Sequence, residues 1–232
     1  MFAVVMNEKD LALTRSIVRE IDGLWRQTPI LIDVKFTQLV RINLILIKAL
    51  ADIMKMRGLI ISVDRPYQYI VYLLKMHKIN TDGLTFIDVI GNFSADRKVL
   101  TAGINLIGEP FRIDALPDII TNFSGIGGSG AIDLKSYGFA LIDNISTLIN
   151  YNGYPVVENF LRNFVRLMSV MNNIFFPIVI DSEKYPLLYE TAKSLCKKEL
   201  KIENYQLLVK TQVDTRGMSD EIIEHEAKLG GL

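Results

Sequence analysis

Two hydrophobic periodicities alternate along the chain. In EKDLALTRSIVREIDGLW (8–25), Leu11, Leu13, Ile17, Val18, Ile21 and Leu24 recur close to helical spacing, which predicts a helix. PILIDVKF then forms a short apolar run rich in β-branched residues and predicts a first strand. LVRINLILIKALADIM (39–54) predicts a long helix to about residue 57, with Thr37 placed as its N-cap and Gly58 placed to end it. LIISVD (59–64) shows no polar alternation, the pattern of a strand covered on both faces. A helix over 65–79 opens with Pro66. Strands follow at 84–91 and 138–145, an amphipathic helix at 154–173, a strand at 174–181, a helix at 186–200 and a last strand at 205–213. Pro177 cannot donate to a strand ladder, so it predicts a bulge or an edge.

Strands alternating with helices predict a three-layer α/β fold, a mainly parallel sheet with helices on both faces. The expected organisation is an N-terminal helix over 1–27, an α/β core over 28–213 and a polar C-terminal helix or tail over 214–232. The connection 92–137 is too long to be structureless, so a local helix or hairpin is expected inside it.

Composition narrows the function classes. Half of the 232 residues are hydrophobic, and Lys+Arg and Asp+Glu are both 26. A balanced charge gives no broad attraction to nucleic acid or to an anionic membrane, although a local basic patch remains open. The 39–54 run carries Arg41, Asn43, Lys48 and Asp52, which makes a membrane span costly and favours a buried helix. MFAVVMNEKD is charged too early to read as a signal peptide. Cys196 is the only cysteine, so a packed thiol in a reducing, cytoplasmic setting is expected.

Candidate chemistry gathers where α/β sheets bind ligands, beyond the C-terminal strand ends. Asp33, Asp64, Asp88, Asp143 and Asp181 all fall at such ends. A row of carboxylates can hold magnesium and its phosphates, or can cap turns and neighbouring helices. The run SGIGGSG (124–130) invites comparison with a phosphate cradle. It has no lysine, the nearest being Lys135, and no room for a following helix, so Ser124, Gly125, Gly127, Gly128, Ser129 and Gly130 read as a mobile partner-contact loop. His77 reads as a helix-end residue, and His225 lacks a second spaced histidine for zinc. Tyr69 and Tyr72 share a helix face, for which half-buried packing and base stacking are both open. No nucleophilic or other catalytic constellation is present.

Several strings resemble the RecA-type ATPase core, most closely its archaeal and bacterial KaiC-like branch. FALIDNISTLI resembles that family's second nucleotide motif, with Asp143 in the place of the magnesium-associated carboxylate. LIISVDRPYQYIVYLLKMHKIN resembles its second strand and helix, and VENFLRNFVRLMSVMNNIFFPIVIDSE the helix and strand after the second motif. The resemblance covers about residues 28–200 and implies a P-loop NTPase fold. The family's phosphate loop, G-x-x-x-x-G-K-[ST], would lie between the first strand and the long helix, where this chain reads ILIDVKFTQLVRINL without a glycine. Its pair of glutamates is replaced by Asp64 and Arg65. The expectation is a pseudo-ATPase without a cofactor, acting through a protein partner or as a homo-oligomer. The alternative is a divergent nucleotide binder holding ATP with magnesium through Lys35, Thr37 and Asp143. A third class is a single-strand nucleic-acid binder using the 92–137 region.

Overall fold

Alternate residues of each central strand enter opposite cores, the pattern of a sheet buried on both faces. In β1 (Ile30–Val34), Ile30, Ile32 and Val34 join one cluster while Leu31 joins the other; in β2 (Gly58–Ser62), Ile60 opposes Leu59 and Ile61. The computed structural model describes residues 6–24, 29–88, 103–105, 134–170 and 174–211. The loop 124–130 and the tail 214–232 lie outside the described residues.

The remaining strands are β3 (Leu84–Asp88), β4 (Gly103–Asn105), β5 (Phe139–Ile142), β6 (Pro177–Ile180), β7 (Lys198–Glu203) and β8 (Gln206–Thr211). Among the described residues the strands form two four-stranded sheets, β4-β3-β2-β5 and β6-β1-β7-β8, parallel throughout except for the β7–β8 hairpin. The hairpin turns through Asn204 and Tyr205 at φ of +49° and +63°, the double left-handed geometry of a type I′ turn. On one face lie α1 (Glu8–Leu24), α2 (Leu39–Ile47) and α3 (Tyr67–Met76). On the other lie the short α4 (Leu148–Asn152), α5 (Tyr154–Val170) and α6 (Pro186–Leu195). The predicted three-layer α/β architecture is the observed one.

Pro177 explains why there are two sheets. A single parallel bridge joins Phe139 to Phe175, with Phe175 N–H donating to Gly138 O at 2.8 Å and Ala140 N–H to Phe175 O at 3.0 Å. The next rung in parallel register would need an N–H from residue 177, and proline has none. The expected edge is observed: β5 and β6 are the facing edge strands of the two sheets, joined by that single bridge.

Other expectations need correction. The long helix does not run to residue 57: α2 widens into a π-type segment at Lys48–Ile53, and Lys55 at φ +56° terminates it. Gly58 instead opens β2, where a Cβ would collide with the Phe139 ring and lie 2.8 Å from Leu84 Cδ2. Thr37 is no N-cap; Phe36–Gln38 form a 3₁₀ turn, and no side chain caps it or α2 from that position. The helix predicted over 186–200 stops at Leu195, because Leu200 and Ile202 are drawn into the core as strand residues of β7. Within 92–137 the described elements are the strand at 103–105, paired to β3, and a 3₁₀ turn at Leu134–Ser136; the rest of that connection, where a local helix or hairpin is expected, lies outside the described residues.

The start of α1 is fixed by a capping box: Asn7 N–H donates to Asp10 Oδ2 at 2.8 Å and Asp10 N–H to Asn7 Oδ1 at 3.1 Å. Arg41 forks onto Asp10 at 2.6 and 2.5 Å. Burial opposes the Asp10 charge, yet Arg41 and the Asn7 amide outweigh it and hold the carboxyl below its usual range. Met6 N–H donates to His77 Nδ1 at 3.2 Å, which requires a neutral ring nitrogen. Burial and the nearby Arg41 push the His77 pKa down, Asp10 opposing. The contact is therefore complete above the ordinary histidine value and is lost as pH falls through the lowered one. The protection of the Met6 amide against hydrogen exchange, relative to its intrinsic rate at each pH, is expected to fall in acid by an amount matching roughly 1 kcal/mol, and His77→Gln to abolish that pH dependence.

Candidate functional site

The C-terminal strand ends carry the predicted row of carboxylates, and each is engaged by a neighbouring loop. Asp33, at the end of β1, accepts Ser182 N–H at 3.0 Å and Ser182 Oγ–H at 2.9 Å from the loop after β6. Asp181, at the end of β6, reciprocates: its Oδ2 accepts Phe36 N–H at 2.7 Å from the turn after β1. Its Oδ1 accepts Glu183 N–H at 2.9 Å and Lys184 N–H at 3.1 Å. Burial works against the Asp181 charge, but these amides, with Lys35 adding to them, hold its carboxyl below the usual range.

The β1–α2 turn is consequently short and filled. One residue, Lys35, separates β1 from the 3₁₀ turn, and its ammonium pairs with Glu183. Lys184 Nζ stands 3.2 Å from the centre of the Phe36 ring, and Phe36 packs at 6.0 Å from Tyr185. The polar cleft beside it, about 240 Å³ counted out to the surface, is lined by four carboxylates (Asp33, Asp181, Glu183, Glu203) and two ammonium groups (Lys35, Lys201). An anion entering there meets net negative charge, and the Phe36 amide that would greet it already holds a carboxylate.

A second reciprocal pair joins β2 and β5. Asp143 Oδ1, just beyond β5, accepts Val63 N–H at 2.8 Å and Asp64 N–H at 3.2 Å from the loop after β2. In return Thr147 Oγ–H donates to Asp64 Oδ1 at 3.0 Å, and Asp64 pairs with Arg65 at 3.0 Å. Asn144 Nδ2 donates to Thr147 Oγ1 at 2.6 Å, and Asn43 of α2 donates to the Asp143 carbonyl. Burial dominates at Asp143 and raises its carboxyl pKa to about 7, with Asp64 adding to the rise and the two amides and Arg65 opposing it. Asp88 completes the row, accepting Tyr67 N–H at 3.3 Å.

Sequence reasoning placed all five carboxylates but not their pairing across strands. Asn43, Asn144 and Thr147 were also missed; the one signal for Asn43 was a lone amide in an otherwise apolar helix stretch. Lys35 and Asp143 take part in different pairs, one at the β1–β6 junction and the other at β2–β5. Among the described residues, no group of three His, Cys, Asp or Glu side chains gathers as a metal site. No helix among them is long and apolar enough to cross a membrane. Cys196 is buried, and burial lifts its thiol to about 12, far from a reactive thiolate. Tyr69 and Tyr72 are about half exposed, at 47% and 56%, with ring centres 6.4 Å apart on their shared face.

No protein-family model matches the chain, and no curated protein matches it in sequence. Solved structures do match in shape. A Pyrococcus horikoshii OT3 protein, PH0250, is 13% identical over 85% of this chain and 93% of its own, with a TM-score of 0.54. The KaiC-like protein PH0186 from the same hyperthermophilic archaeon is 10% identical over 82% of each chain, with a TM-score of 0.51. At such identities the likeness concerns the fold. The chain thus folds as a three-layer α/β protein of the kind represented by KaiC-like PH0186.

Proposed function

We propose that this protein is a non-catalytic relative of KaiC-like ATPases, a pseudo-ATPase that acts in binding or regulation through protein–protein contacts. The observation that carries the reading is the carboxylate of Asp181 on the Phe36 amide, at the turn where the resemblance puts a phosphate loop. A phosphate loop works by converging several free backbone N–H groups and a lysine on an anion. Here the connection from β1 to α2 is only Lys35 and the 3₁₀ turn Phe36–Gln38, its lysine pairs with Glu183, and the Phe36 amide is taken by the protein's own acid. The family's second carboxylate position, Asp143, is likewise occupied in holding the loop after β2. What supports a binding role is the retained three-layer scaffold together with exposed aromatic surface at Tyr69 and Tyr72. A homo-oligomer or a mixed assembly with an active relative fits this reading.

The test is a thermal titration with Mg-ATP. The reading predicts no saturable shift in Tm, with or without magnesium. Saturable, magnesium-dependent stabilisation that Asp143→Ala abolishes would instead establish a divergent nucleotide-binding protein.

A further inference from the structure

The π-type segment Lys48–Ile53 and α3 both end at the N-terminal edge of the strands, opposite the candidate site. Asp52 Oδ1 accepts Asn80 N–H at 2.9 Å, and Gly58 N–H donates to Gly83 O at 3.0 Å, so the connections into β2 and β3 lie together. Each helix ends on a lysine in the left-handed region, Lys55 at φ +56° and Lys78 at φ +54°. At α3 the geometry is a Schellman motif, with Ile79 N–H on Leu74 O at 2.9 Å and Lys78 N–H on Lys75 O at 3.0 Å. That position is ordinarily glycine or asparagine, because a Cβ there is strained. A cation near a helix end offsets the dipole, but it does so equally from the last turn, where Lys75 already stands. The fold itself therefore gives no reason for lysine at either left-handed position, and strain of this kind points to function.

The surroundings are cationic. Lys48 is paired with Asp52. Lys55, Arg57, Lys75 and Lys78 are then set against one further acid, Asp82, an excess of three positive charges in a chain whose net charge is zero. Arg57 lies over the Tyr137 ring at 5.5 Å. Lys55, Lys75 and Lys78 are exposed, and among the described residues none has a carboxylate partner. Exposed Ile53, beside Lys55, and exposed Tyr72, one turn before Lys75, add apolar surface between the charges.

We infer that this face is a docking surface for an acidic segment of a protein partner. Its carboxylates pair with Lys55, Lys75 and Lys78, and its aliphatic side chains cover Ile53 and Tyr72. The inference names a partner chemistry for the protein–protein reading above and rests on it. Three unpaired lysines interleaved with apolar surface match a few carboxylates interleaved with aliphatic groups. A nucleic-acid strand draws on many phosphate contacts along a basic groove, more than three lysines at two helix ends provide.

The probe is an acetylated dodecapeptide of repeated Glu-Glu-Leu units, titrated into the full chain at low salt. Binding is followed on the Lys55 and Lys78 amides and the Tyr72 ring resonances. The controls are the same peptide with glutamine for glutamate, and a single-stranded oligothymidylate of equal length. The expected result is saturable shifts with the glutamate peptide that weaken as salt rises, and weaker binding of both controls. Combining Lys55→Gly with Lys78→Gly relieves the left-handed strain, so Tm is unchanged or raised while the glutamate peptide loses about tenfold in affinity, or 1.4 kcal/mol. Lys75→Gln leaves the backbone geometry alone and weakens the same peptide several-fold. The inference is overturned by no saturable binding, by either control binding as tightly as the glutamate peptide, or by undiminished binding in both variants. The Mg-ATP titration does not probe this face, so failure here and failure of the pseudo-ATPase reading are separate results.

Discussion

Asp181→Ala lowers stability by about 2–4 kcal/mol at neutral pH, a Tm fall of roughly 5–15 °C. The side chain accepts three backbone N–H groups, from Phe36, Glu183 and Lys184, and is itself buried. Truncation leaves those donors without their acceptor and unties the β1–α2 turn from the β6–α6 loop. The pH dependence distinguishes this mechanism from simple loss of packing. The Asp181 carboxyl is held below its usual range in the folded state, burial opposing and the amides prevailing. Its contribution is present above the unfolded value near 4 and disappears as pH falls through the lowered one. The gap between wild type and variant therefore narrows in acid, measurable by denaturant unfolding at pH 7 and pH 3. Asp181→Asn gives an intermediate loss, since one oxygen remains to accept while an NH₂ faces an amide.

Asp143→Asn has the opposite effect. Burial raises the Asp143 carboxyl to about 7. Between roughly pH 4 and pH 7 the folded protein keeps a proton that the unfolded chain has released, so stability falls as pH rises through that window. Above about 7 the penalty is complete, on the order of 4 kcal/mol for a shift of this size. An amide oxygen can still accept from Val63 and Asp64, so Asp143→Asn removes the charge without removing the stitch. The variant is expected to be more stable than wild type at pH 8, with the difference vanishing near pH 4. Asp143→Ala, which orphans both amides, is destabilising across the range. A variant difference independent of pH would mean that the carboxyl titrates normally.

Much of this arrangement is legible in the chain because burial on both faces writes unbroken apolar runs. ILI, LII, FALI and PIVI announce their strands, and the acid after each run announces the C-terminal edge. The β7 strand was hidden because KELKIE has the composition of a helix; tertiary burial of Leu200 and Ile202 decided it. Pro177 signalled an interruption correctly, but only register shows which rung is lost. Thr37 looked like a cap because of its chemistry, whereas the capping acceptor, Asp181, is 145 residues from the Phe36 amide that it serves. Such long-range reciprocity between neighbouring strands leaves no periodic trace in sequence. The exposed Tyr69 and Tyr72 show the same limit, since helical spacing gives a shared face without saying what covers it.

The central claim is that the protein's own carboxylate holds the turn where a phosphate would sit. The most direct measurement is the Phe36 amide resonance, followed against pH and against Mg-ATP. The account predicts a downfield amide that moves only as Asp181 titrates in acid and is unchanged by saturating Mg-ATP at neutral pH. A Phe36 amide that is indifferent to acid but shifts saturably with Mg-ATP would contradict it.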